Sequence, residues 1–238
     1  MKKILANSFY LYSIKFLPLI CLSLLTFVPL LLLHTIIVNY IYQISAFMEY
    51  PGVVGDAANG IFMLIFLIIA QVPFIKFTML YHEDEDSLFR KSLSFSLDKM
   101  LSIYIFACLY AIIVFIGGLL FVIPGIIALL LFYFVPYFIA DGVNKYRTAI
   151  RKSVEIMKKN AMITIMTIIA LTLIQLFFEN VLLLFISLYS DSYFVFLITK
   201  IILQMLFLPL QIIIVTNVFI HIKMAAIHEV QPRMDFKY

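Results

Sequence analysis

The sequence has no tryptophan, two cysteines and seven glycines in 238 residues, and only 13% of its positions are charged. A water-soluble domain is charged at about a quarter of its positions and apolar at about half. Here 65% of residues are hydrophobic, more than one soluble core can hide, so the bilayer must act as solvent for most of the chain. So few glycines leave little material for a phosphate-cradling loop. Neither a His-Glu-x-x-His zinc helix nor a serine nucleophile elbow occurs. These absences argue against an enzyme, and no cofactor or metal is expected. Cys21 and Cys108 lie inside apolar runs with no metal-ligand spacing to histidine, and neither reads as a disulfide or redox pair. Tyrosines near the ends of the apolar runs take the place of a tryptophan belt. The net charge of +4 is not a nucleic-acid signal, because the basic residues sit where apolar runs end.

Unpaired backbone groups in hydrocarbon cost several kcal/mol each, so each apolar run must be a helix. Six are long enough, at about residues 17–39, 59–80, 101–122, 125–140, 161–189 and 193–222. The start Met1-Lys2-Lys3 has the look of a signal peptide. The following run is too long and lacks a small-residue cleavage site, so an uncleaved first span is expected. A loop is expected over 40–58, and a tight turn at Pro124-Gly125 between spans three and four. Three shorter stretches, 4–15, 87–100 and 145–159, place apolar residues on one face and predict surface helices. Residues 101–140 carry no charge, while 141–160 carry eight charged residues, a hairpin followed by a basic surface helix. The fold class is all-α: one integral membrane domain over 1–238, with six transmembrane helices and three cytoplasmic interfacial amphipathic helices.

Orientation follows from counting. With six spans, one side receives fifteen of the seventeen Lys and Arg residues, including Arg233 and Lys237 of the polar tail. The three opposite loops receive none, and Lys76 and Lys200 fall within spans. By the positive-inside rule both termini are expected to be cytoplasmic. Arg90-Lys91-Ser92-Leu93 and Arg151-Lys152-Ser153-Val154 each stand shortly before a span, and the N-terminal third fits the same plan. Three parallel helix-plus-hairpin repeats would produce this pattern, as would the ordinary alternation of basic loops with spans.

The stretch Phe121-Val122-Ile123-Pro124-Gly125-Ile126-Ile127-Ala128-Leu129-Leu130, with Val135-Pro136 and then Ala149-Ile150-Arg151-Lys152-Ser153, resembles the YciC family of enterobacterial inner-membrane proteins. Ala6-Asn7-Ser8-Phe9-Tyr10 before the first span is also similar. A looser likeness extends to the membrane domain fused to some bacterial glycerophosphodiester phosphodiesterases. The resemblance covers about 50 residues. It implies an inner-membrane location in a gammaproteobacterium and no activity.

Glu179 and Lys200 are equally far from the turn near Ser190 on consecutive antiparallel spans, so they reach the same depth. A charge inside a span usually faces a partner or a cavity, and the two are expected to pair. The pair is either a polar site flanked by Asn180 and Gln204 or a structural fix between spans five and six. Gln71, Pro73, Lys76, Pro209 and Gln211 either loosen helices around a pathway or are kinks satisfied by neighbours. His82 with Glu83–Asp86 either collects a divalent cation or is a solvated acidic loop. His34, His221 and His228 have no partner spacing. Arg90, Lys91, Arg147, Arg151, Lys152, Lys158 and Lys159 are the candidate contacts for anionic lipid headgroups. The leading function is a non-enzymatic, membrane-organising component that binds lipid or a protein partner. The alternative is a small transporter or channel with a polar pathway near Glu179 and Lys200.

Overall fold

The computed structural model describes residues 2–190 and 192–230. These are helical almost throughout, as α1 (Lys2–Ile14), α2 (Phe16–Ser45), α3 (Pro51–His82), α4 (Leu88–Asp98), α5 (Met100–Leu120), α6 (Val122–Leu131), α7 (Val135–Ala140), α8 (Tyr146–Ser187) and α9 (Tyr193–Val230). Six apolar stretches are long enough to cross a bilayer: α2, α3, α5, α6 with α7, α8 and α9. The chain is a multi-pass membrane protein. Arg233 and Lys237 lie outside the described residues.

The boundaries differ from the sequence reading in four places. The 40–58 loop shrinks to residues 46–50, because α2 continues to Ser45 and Pro51 opens α3, where its missing N–H costs nothing. At that tip Tyr42 lies over Gly55 and donates to Asp56 at 2.5 Å. The chain between α5 and α6 reverses at Phe121, which is extended, and Pro124-Gly125 falls in the first turns of α6. Span four breaks at residues 132–134 into α6 and α7, and Pro136 begins the second piece. The basic surface helix runs on into span five as α8, with one non-helical residue, Asn160.

The three short helices, α1, α4 and residues 146–159 of α8, share a construction. Each has one fully buried serine, respectively Ser8, Ser92 and Ser153. Seven residues beyond each serine stands a break with φ and ψ near the sparsely populated bridge region. These are Lys15 (−105°, 26°), Lys99 (−98°, 3°) and Asn160 (−126°, 20°). Beyond each break a long helix departs. Because the long helices alternate in direction, all three short helices lie at one end of the bundle, called here the basic end.

The returning helices form the interior. α3, α9 and the α6–α7 pair bury the largest share of their apolar length, and α2, α5 and α8 the smallest. α3 packs on α2, α4, α5, α7 and α9, and α9 also meets α1, α2 and α8. At the basic end the interior is a plug of aromatic rings. Phe219 of α9 meets Phe134, Tyr137 and Phe138 at centroid distances of 5.2, 5.4 and 5.0 Å. Phe74 and Phe77 of α3 are also buried completely, in the same apolar core.

Away from the plug, α5 and α6 touch backbone to backbone. A Cβ on Gly125 would lie 2.8 Å from the Gly118 nitrogen and 2.9 Å from its Cα, whereas one on Gly118 would meet nothing. Neither backbone can step aside without parting the hairpin. Gly125→Ala should therefore destabilise the protein by about 1–3 kcal/mol, and Gly118→Ala should leave it unchanged. Thermal unfolding in detergent distinguishes them; equal midpoints would mean the helices are not in contact.

Candidate functional site

Glu179 of α8 and Lys200 of α9 come together, with Lys200 Nζ 3.7 Å from Glu179 Oε1. The Glu179 side chain is 16% exposed and that of Lys200 is 52% exposed, so the ammonium lies on the outer surface of the helix pair. Asn180 turns back on its own helix and donates to the Leu176 carbonyl at 2.7 Å. Gln204 stands one turn beyond Lys200 on α9. Gln71 is elsewhere. It lines a central cavity of about 250 Å³ between α3, α5, α6, α8 and α9 that neither Glu179 nor Lys200 reaches.

On the far wall of that cavity Gln211 of α9 donates to Gln175 Oε1 at 2.6 Å and to the Leu171 carbonyl at 3.3 Å. Gln175 was missed from sequence, although a lone glutamine one turn before Glu179 in an apolar run was the signal to follow. Tyr110 closes another side, its hydroxyl donating to the Leu129 carbonyl at 2.8 Å. The aromatic plug lies between this cavity and the basic end.

Of the expected kink residues, Pro209 and Lys76, like Gln211, are answered by neighbours. Pro209 has no N–H to give the Met205 carbonyl four residues back. Ser23 of α2 donates to that carbonyl at 3.4 Å, and Tyr12 of α1 donates to the adjoining Leu206 carbonyl at 3.0 Å. Lys76 extends to the end of α7, where it donates to the Ala140 carbonyl at 3.2 Å and lies over the Phe95 ring. Just beyond, Lys223 donates to both oxygens of Asp141 at 2.6 Å. Two cations thus meet the negative end of a short helix.

His82 is held within the fold. Its Nε2 lies 2.6 Å from Asn217 Oδ1; Asn217 donates to Ser8 Oγ at 2.7 Å, and Ser8 donates to the Ile4 carbonyl at 2.8 Å. The relay joins α3, α9 and α1. The acidic run lines a hollow with Lys15, and Glu85 pairs with Lys91. That hydrogen bond and charge hold the Glu85 carboxyl below its usual range. The contact persists at neutral pH and is lost as acidification protonates the carboxylate. His34 packs edge-on to Phe66, and its buried Nε2 has no hydrogen-bond partner among the described residues. The His228 side chain lies outside the described residues.

Of the headgroup candidates, Arg151 pairs with Glu155 at 2.9 Å and Lys91 with Glu85, while Lys152 lies over the Phe138 ring. Arg90, Arg147, Lys158 and Lys159 are exposed at the basic end. The sequence thus found the charged face, and the structure shows that part of it is internally balanced.

If the Glu179–Lys200 contact holds α8 to α9, Lys200→Glu alone should cost about 1–3 kcal/mol by setting like charges together in the membrane. Adding Glu179→Lys should restore most of that in the same unfolding assay. A double variant no better than either single would show that the groups do not interact. Glu179→Gln with Lys200→Met should fold as the parent does. Compared with family models, with curated proteins and with solved structures, the chain finds no match.

Proposed function

We propose that this protein is a non-enzymatic component of a bacterial inner membrane that gathers anionic lipid headgroups, and through them or beside them a protein partner, on three basic surface helices. Both termini are cytoplasmic in this reading, and the chain is three parallel helix-plus-hairpin units. The observation that carries it is the shared construction of the short helices. Each buries a stripe around its serine (Ser8 and Leu11; Leu88 and Ser92; Ala149, Ser153 and Ile156) and leaves its lysines and arginines exposed. Such a helix is fixed in roll, with its basic face turned from the bundle. Each Lys or Arg held near an anionic leaflet contributes about 1 kcal/mol. The resemblance of Phe121–Leu130 and Ala149–Ser153 to the YciC family supports the inner membrane as the location.

The transporter reading has less support. Its polar residues fall in two separate places, and the fully buried rings of Phe74, Phe134, Tyr137 and Phe219 interrupt any path along the bundle axis.

Extraction in native lipid discs followed by lipid mass spectrometry tests the proposal. Anionic lipid should be enriched around the parent, and Arg90→Gln, Arg147→Gln and Lys158→Gln together should reduce that enrichment by about tenfold or more. The same lipid profile for both proteins would refute it.

A further inference from the structure

The central cavity holds an unanswered hydrogen-bonding group. Gln71 is 8% exposed, lines the cavity, and has no hydrogen-bond partner among the described residues. An amide that faces a cavity with neither its N–H nor its carbonyl satisfied by the protein ordinarily meets water or a ligand there. Water fits poorly here. The volume of about 250 Å³ equals that of roughly eight water molecules at about 30 Å³ each, and each buried water needs two to four polar partners. The walls are mainly Leu, Ile and Phe, and the Gln211 amide N–H is already engaged by Gln175 and Leu171. Eight waters would have to bond mainly to one another, with few wall groups besides Gln71 and the Tyr133 and Thr172 hydroxyls to anchor them.

Two further features define what would fit. No Asp, Glu, Lys or Arg lines the cavity, so a charged group would enter without a counter-ion. The cavity also shares Leu64 and Leu67 with a second, almost wholly apolar hollow of about 450 Å³ between α3 and α5. Gly60 and Gly118 border that hollow, and a Cβ on either would meet nothing within 4 Å. The two hollows thus adjoin at Leu64 and Leu67, with Gln71 lining only the first.

We propose that this cavity binds an uncharged amphiphile, its hydroxyl or carbonyl end hydrogen-bonded to Gln71 and its chain leaving between α3 and α5. The site is separate from the basic helices and independent of any lipid bound there.

Decanol carrying a diazirine group is the probe, photolysed with the protein in lipid discs, and adducts are mapped by peptide mass spectrometry. Labelling is expected on the peptides bearing Leu64 and Leu67, with decanol competing and decane failing to compete. Gln71→Met keeps volume and removes the amide, so labelling should fall about tenfold, the worth of one hydrogen bond to a buried group. Gly118→Leu should fill the apolar hollow and reduce labelling at least as much, without disturbing the α5–α6 contact that Gly125 makes. Glu179→Gln should change nothing. Labelling that is equal in the parent and in Gln71→Met overturns the proposal, as does equal competition by decane. An absence of labelling in the parent, which would mean a cavity holding water alone, overturns it too.

Discussion

Hydrocarbon offers no partner to a backbone N–H or carbonyl, so a helix interrupted within this bundle must find its partners elsewhere in the protein. The break between α6 and α7 illustrates this. Ser153 Oγ donates to the Leu131 carbonyl at 2.7 Å and accepts the Phe134 N–H at 3.2 Å. Tyr110 takes the Leu129 carbonyl, and the remaining turn bonds, Tyr133 to Leu130 and Val135 to Phe132, are local. At Pro209 the donors are Ser23 and Tyr12, and at the end of α7 they are Lys76 and, through Asp141, Lys223. Each donor comes from a different element than its acceptor. The breaks, which would weaken an isolated helix, are the points at which this bundle is joined.

The joining also explains why the short helices take their places. Ser153 and Ser8 are more than apolar-face fillers: one closes the α6–α7 break, and the other accepts from Asn217 in a relay that extends to His82. With the serine inward, the basic residues beside it are carried outward. The same rotation that satisfies the backbone thus sets the charge pattern from which the function is proposed. Packing at one end leaves the interior further along less filled, and the cavity at Gln71 lies where the plug of rings stops.

Much of this was legible in the sequence for physical reasons. Apolar runs bounded by charge gave six spans, since length and hydropathy decide membrane crossing. The three short helices showed as amphipathic stretches. Equal depth on antiparallel helices placed Glu179 near Lys200, a matter of arithmetic at constant rise. What escaped depends on distant pairing. Pro136 is a local signal for a break near Phe132, but the hydroxyl that stabilises the break is on the distant Ser153. Pro124-Gly125 looked like a turn, yet Gly125 is needed for close backbone approach and the reversal falls at Phe121. For the acidic run beside His82 the sequence left a cation site or a solvated loop open, and the imidazole's partner, Asn217, is far along the chain. Gln71 could be recognised as polar in an apolar span, but its lack of a partner emerges only in three dimensions.

The most direct test of this account is hydrogen exchange at the Phe134 amide, compared between the parent and Ser153→Ala in lipid discs. If Ser153 closes the break, that amide exchanges slowly in the parent and about tenfold faster once the hydroxyl is gone, with the amides of α5 little changed. Equal protection at Phe134 in both proteins would mean that the break is satisfied some other way, and that the short helices are not what joins the bundle.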